Sequence, residues 1–174
     1  APLVNPNMAN CVTDTATYRI ETVGEACCME ATTDDYFAQS DGNPNYTVLT
    51  SQTWQPGTGN HPFSGFAGTA ADPIRVNGTI TIDPSVAVSM QNLNFEFGPN
   101  GRIVVEPTAS LTITNCNLTG DPVCQTMWQG IRIIGSGYWV IPNNATNAGL
   151  LDIRNSSILH ALIGAANIRL PVFN

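Results

Sequence analysis

The sequence predicts an all-β chain wound as a parallel β-helix, a solenoid of stacked coils, behind an irregular N-terminal cap. Three observations predict it. First, Gly78-Thr79-Ile80-Thr81-Ile82-Asp83-Pro84-Ser85 is repeated as Gly101-Arg102-Ile103-Val104-Val105-Glu106-Pro107-Thr108, an offset of 23 residues. The register continues onward, with Val88 against Leu111, Met90 against Ile113, Asn92 against Asn115 and Phe95 against Leu118. A fixed period of that size marks a solenoid, whose repeats bury their apolar faces only against one another. Second, within each copy the apolar residues alternate (Ile80 and Ile82, Val86, Val88 and Met90), which is the strand period and is rich in β-branched side chains. Third, acid-Pro-hydroxyl closes each run, because Pro fixes φ and cannot donate to a ladder. Two short strands with a turn between them, repeated once per coil, are the expectation. A leucine-rich repeat is the competing solenoid, but the leucine-spaced helical half is missing.

The chain has 174 residues, enough for one domain or one domain with an appendage. It is 43% hydrophobic but only 11% charged, well below the usual quarter or so. There is no Lys, and thirteen acids against six Arg leave a net charge of −7. Electrostatics therefore argue against nucleic acid and anionic membranes as partners. No apolar run approaches the roughly 18 residues that span a bilayer.

Taken in order, residues 1–46 lack the repeat and hold seven of the thirteen acids and three of the five cysteines. A solenoid's first coil needs covering, so this segment is expected to be the cap. Asp41-Gly42-Asn43-Pro44 is a turn and Tyr46 to Thr50 a strand. Residues 51–72, rich in Gly, Pro, Ser and Thr, carry Trp54, His61, Phe63 and Phe66. Those aromatics stack on a sugar or pack onto the solenoid, and packing is the favoured expectation. After the two regular coils, Trp128 to Gly135 and Leu151 to Ile158 resume the pattern, with Asn155 matching Asn115 at an offset of 40. The longer spacing fits a loop inserted at one corner. Residues 47–174 thus read as the β-helix, continued at its C-terminal end by further chain or by a partner.

Candidate sites follow from the same register. Asn92, Asn115 and Asn155 form a structural asparagine column, since stacked amides can bond from coil to coil and Asn tolerates left-handed backbone at a corner. Asp83 and Glu106 should lie one coil apart, roughly 5 Å; such a pair is a weak Ca²⁺ candidate, with exposed turn carboxylates as the plainer reading. His160, in an apolar run, reads as a core or wall residue. Trp54, Tyr138 and Trp139 are candidate carbohydrate platforms. Cys116 with Cys124, and Cys11 with Cys27 or Cys28, are candidate disulfides, and none of the spacings makes a zinc site. No cofactor is expected, and no nucleophile–base constellation has a supporting context.

The run Gly101-x-Ile103-x-Val105-Glu106-Pro107-x-Ala109-x-Leu111, with Asn115-Cys116-Asn117-Leu118, Cys124, Met127-Trp128-Gln129-Gly130-Ile131 and Asp152 to Ala161, resembles right-handed β-helix segments of large Bacteroidota surface proteins, many exported by the type IX system. The likeness covers residues 47–170. It implies secretion, surface display and roles in adhesion or gliding, while saying little about activity. The expected function is a non-catalytic secreted adhesin or structural fibre segment, with other subunits, the rest of a longer chain, or surface polysaccharide as partners. A polysaccharide-active enzyme or carbohydrate-binding module on a pectate-lyase-like β-helix is the first alternative. A protein-binding subunit of a secretion or motility apparatus is the second.

Overall fold

Thirteen short strands form three all-parallel sheets in the computed structural model, which describes residues 36–121, 126–135 and 148–169. The first circuit is β1 (Tyr46–Val48), β2 (Gln52–Trp54) and β3 (Ile74–Val76); the second is β4 (Thr79–Ile82), β5 (Ala87–Gln91) and β6 (Asn94–Phe97). The third is β7 (Arg102–Val105), β8 (Ser110–Thr114) and β9 (Asn117–Gly120). The fourth is β10 (Gly130–Gly135), β11 (Leu150–Arg154) and β12 (Ser157–Ile158), and β13 (Ala165–Arg169) opens a fifth. The sheets run β1-β4-β7-β10-β13, β2-β5-β8-β11 and β3-β6-β9-β12, so each circuit lays one strand on each sheet. No helix occurs among the described residues.

The register follows the repeat. Ile80 pairs with Ile103 and Ile103 with Ile131; Val88 pairs with Leu111, and Leu111 with Leu151. Along β4 and β7 alternate side chains point inward, and Ile80, Ile82, Ile103 and Val105 are fully buried. Identical inward positions from successive circuits make one continuous apolar column, in which each coil's core is completed by its neighbours. The aromatic rings of the third sheet join it: Phe95 stacks on Phe97 at 5.5 Å, and Phe97 on Trp128 at 4.2 Å.

Each circuit holds three strands where the sequence suggests two. The reason lies in the second corner, which is a single residue wide. Asn92, Asn115 and Asn155 adopt φ of 57°, 54° and 48°, and one left-handed residue bends the chain onto the next sheet without a loop. The Asn115 amide donates to Asn92 Oδ1 at 3.3 Å, and the backbone N–H groups of Asn92 and Asn115 donate to the carbonyls of Thr114 and Arg154 in the coil above. On the sequence the asparagine marks a corner, but with no loop after it the strand beyond is not set apart. Asn115→Ala is expected to cost about 1–2 kcal/mol, because Cβ crowds the carbonyl at positive φ without the amide's compensation. Asn115→Gly should cost less, as it loses only the rung. The order of urea midpoints, Asn above Gly above Ala, checks this.

The first corner is the acid-Pro-hydroxyl turn. Val86 N–H donates to the Asp83 carbonyl at 3.1 Å and Ala109 N–H to that of Glu106 at 3.0 Å. Pro stands second in each turn and a positive φ third (Ser85 at 64°, Thr108 at 67°), the pattern of a type II turn. A β-branched residue is strained there. The strain is offset by a hydroxyl rung: Thr108 Oγ1 accepts the Ser85 N–H at 2.9 Å and lies 3.1 Å from Ser85 Oγ.

The longer fourth circuit is lengthened at two corners rather than one. Sheet-one partners Ile103 and Ile131 are already 28 residues apart, whereas sheet-two partners Leu111 and Leu151 are 40 apart. The extra chain therefore falls both between β9 and β10 and between β10 and β11.

Candidate functional site

The first circuit carries its own insertion, residues 55–73, between β2 and β3. This is the aromatic loop singled out on the sequence, and it turns inward. Phe63 is completely buried, with its ring 5.0 Å from Phe37, 5.6 Å from Tyr46, 5.3 Å from Trp54 and 5.8 Å from Phe95. Three of these contacts are edge-on, the arrangement in which a positive ring edge meets a negative face. Phe63 thus fills the interior of the first circuit. From the N-terminal side Phe37, 5% exposed, covers it, while the Phe37 N–H donates to the Arg75 carbonyl on β3 at 2.7 Å.

Backbone bonds hold the loop closed. Gly57 N–H donates to the Ala67 carbonyl at 2.8 Å, and Asn94 N–H on β6 donates to the Gly68 carbonyl at 3.0 Å. Asp72 Oδ2 accepts the Ala67 N–H at 2.8 Å. Gly68 sits at φ 71°, so close to the core that a Cβ would come within 2.5 Å of Leu93 Cδ2, which is why glycine is required there.

Trp54, a candidate sugar platform, is corrected by this arrangement. Its ring is 1% exposed and packs edge-on against Phe63, and its indole N–H donates to Gln52 Oε1 at 2.8 Å. A buried ring offers no face for a sugar to stack on. The other two platforms, Tyr138 and Trp139, lie outside the described residues, as do Cys11, Cys27, Cys28 and Cys124.

Cys116 is a buried free thiol. Its Sγ accepts the Leu93 N–H at 3.4 Å and its S–H donates to the Thr114 carbonyl at 3.3 Å, so the sulfur sits inside the asparagine corner. Burial pushes the thiol's pKa up, against the smaller opposing effect of these backbone bonds. A raised pKa makes this sulfur a poor nucleophile.

Asp83 and Glu106 do lie one circuit apart, each donating its backbone N–H to the strand before it: Asp83 to Val48 at 3.2 Å and Glu106 to Ile82 at 3.1 Å. Both side chains are partly exposed. A Ca²⁺ ion takes six to eight oxygens, and among the described residues no group of three or more His, Cys, Asp or Glu comes together. Glu96 is engaged with Arg75 across β6 and β3 at 3.0 Å, and Asp152 with Arg154 on one strand. His160 is not a core residue. It is an exposed corner residue at φ 51°, with Nδ1 3.1 Å from Thr119 Oγ1.

The cleft beside the loop is the candidate site that the residues build. It is an open cleft of about 600 Å³, lined by Gln52, Gln55, Asn60 and His61 among others, with no acid or Arg among the described residues of the lining. Gln52 already accepts from Trp54, Gln55 Nε2 donates to Gln91 Oε1 at 2.9 Å, and Asn60 Nδ2 to the Pro56 carbonyl at 3.0 Å. Each primary amide has further donors and lone pairs. What these three amides offer is hydrogen bonding to a neutral polar group.

His61 is the member of that lining whose role the sequence did not reveal. Its side chain is 8% exposed, and neither ring nitrogen has a hydrogen-bond partner. The ring lies 6.1 Å from Phe63. Burial pushes its pKa down from the ordinary 6.5 and outweighs the Ala67 backbone and the Asp72 carboxylate, which pull the other way.

Set against known protein families, curated proteins and solved structures, the chain finds no match. No helix among the described residues is long and apolar enough to cross a membrane.

Proposed function

We propose that this chain is a segment of a right-handed parallel β-helix belonging to a secreted, non-catalytic surface protein, and that it works as an adhesive or structural wall. The hand is the one that parallel crossovers adopt in nearly all cases. One observation carries the functional reading: the polar residues of the wall are spent on bonds from circuit to circuit. Asn115 bonds to Asn92, Ser85 to Thr108, Arg102 Nε to Thr79 Oγ1 at 2.7 Å, Gln55 to Gln91, Ser157 Oγ to Asn117 Oδ1 at 2.6 Å and Arg75 to Glu96. Such rungs stiffen a rod, and they occupy the side chains that a catalytic site would need free.

The proposed partner is a further coil of the same kind, from another subunit or from more of the same chain. It would pair with β11, β12 and β13, the last described strand of each sheet, where Leu159 is 49% and Ile153 38% exposed. Ile153 continues the core position of Ile113, and Leu159 follows Ile158, which continues that of Leu118; a coil laid over them would remove them from water.

A second reading, glycan binding, rests on the uncharged cleft at Gln52, Gln55 and Asn60 rather than on Trp54. The deciding experiment presents the protein with a panel of polysaccharides and with coated surfaces. The adhesive reading expects attachment that is indifferent to Asp83→Ala and Glu106→Ala, with no chain cleavage. Cleavage of any polysaccharide that disappears in either variant overturns it.

A further inference from the structure

His61 combines three features that a purely structural loop residue does not need together. It is an ionisable ring at neutral to mildly acidic pH, it is nine-tenths buried, and both its nitrogens lack partners. A neutral imidazole carries one donor and one acceptor, and in the closed loop neither makes a well-formed hydrogen bond within the protein. The ring is also two residues from Phe63, the side chain that fills the first circuit, and on the same loop. A movement of the loop that carries His61 into water would draw on Phe63 as well.

We propose that residues 55–73 form an acid-releasable cap: protonation of His61 favours a state in which the loop lifts away, Phe63 leaves the first circuit, and Trp54 and Phe95 lose the ring packed on them. The inference stands independently of the adhesive reading, because it rests on the loop alone.

The groups around the ring set the direction. Phe63 presents only an aromatic face, and Gly68 packs its backbone close by, where a Cβ would lie 3.5 Å from His61 Nε2. From the loop itself the Asp72 carboxylate acts on the ring and favours the charged form, and the Ala67 backbone does the same. From β2 the neighbours are neutral, Gln52 and Trp54; the charged side chains of β3 and β6, Arg75 and Glu96, bond to each other at 3.0 Å. Burial outweighs the Asp72 and Ala67 contributions, so the closed loop binds the proton less readily than the open one. The open state, with the ring in water, has a pKa of about 6.5. Above that value neither state is protonated and the cap is at its most stable. As pH falls below it, the open state takes up a proton first, and closure weakens until the closed-state pKa is reached.

Hydrogen exchange measured by NMR on the whole chain tests this. The Gly57 and Asn94 amides, which bond to Ala67 and Gly68, report closure of the loop. Between pH 7 and pH 5, after correction for intrinsic exchange, their protection should fall by up to roughly 25-fold, the limit for one linked proton with an open-state pKa near 6.5. The Ile103 and Ile113 amides in the stack should not follow. In His61→Phe, which keeps an aromatic ring and cannot take up a proton, the fall should vanish. In Asp72→Asn it should persist. Unchanged protection in the wild type, or an equal fall in His61→Phe, overturns the proposal. Should the phenylalanine variant fail to fold, the ring titration of His61 in the wild type decides by itself: titration below 6.5 supports the cap, and titration at or above 6.5 overturns it.

Discussion

Phe63→Ala is expected to lower the unfolding free energy by about 3–5 kcal/mol, the range for an aromatic removed from a core that cannot collapse onto the space. Collapse is hindered here because the ring's neighbours come from separate elements. Phe37 precedes the first strand, Tyr46 is on β1, Trp54 on β2 and Phe95 on β6, and each is anchored by its own strand or backbone bond. Phe63→Leu should recover roughly half of the loss, since it restores apolar volume but not the edge-on ring contacts, each worth about 0.5–1.5 kcal/mol. Urea unfolding followed by circular dichroism measures both. A loss under about 1 kcal/mol for the alanine variant would mean that Phe63 is not the plug of the first circuit.

The second large effect is expected at Gly130, the first residue of β10. Its φ is 86°, and a Cβ there would lie 1.6 Å from the Ile163 carbonyl oxygen, a position no side-chain rotation can relieve. Gly130→Ala must therefore push the chain before β13 away from β10. That would break the bonds from Leu162 N–H to the Trp128 carbonyl at 2.8 Å and from Ile131 N–H to the Gly164 carbonyl at 3.2 Å. Gly59→Ala is the control, because Gly59 has a similar φ of 89° and open space around it. The control should cost only the backbone term of about 1–2 kcal/mol. The Gly130 variant should exceed it clearly, and amide exchange should show β13 losing protection first. Equal losses at the two positions would argue that the fifth circuit does not pack on the fourth as described.

Both variants lie where the sequence is least readable, and the reason is physical. Columns such as Ile80, Ile103 and Ile131 are legible because each coil presents the same environment to the same position, so the residue type recurs. The corners at Asn92, Asn115 and Asn155 are legible for the same reason. The cap is not periodic: Phe63 and His61 are placed by contacts to elements before and after them in the chain, and no repeat announces those contacts. Trp54 is ambiguous on the sequence because a tryptophan beside a Gly/Pro loop suits both a sugar platform and the favoured packing role, and its 1% exposure separates the two. The third strand of each circuit was hidden by its own economy. A one-residue corner leaves no loop to read, so β5 and β6 run together as Ala87 to Phe97. Partial signals were present for the loop, in its Gly and Pro content and its aromatic spacing, and they point to packing without saying against what.

The account depends on successive circuits lying directly on one another in parallel, and interstrand nuclear Overhauser contacts on isotope-labelled protein test that most directly. The expected result is a parallel pattern linking Ile80 to Ile103 and Ile103 to Ile131, with Val88 to Leu111 on the second sheet. Contacts that place Ile80 opposite an antiparallel partner, or that separate it from Ile103 altogether, would contradict the stack and everything derived from it.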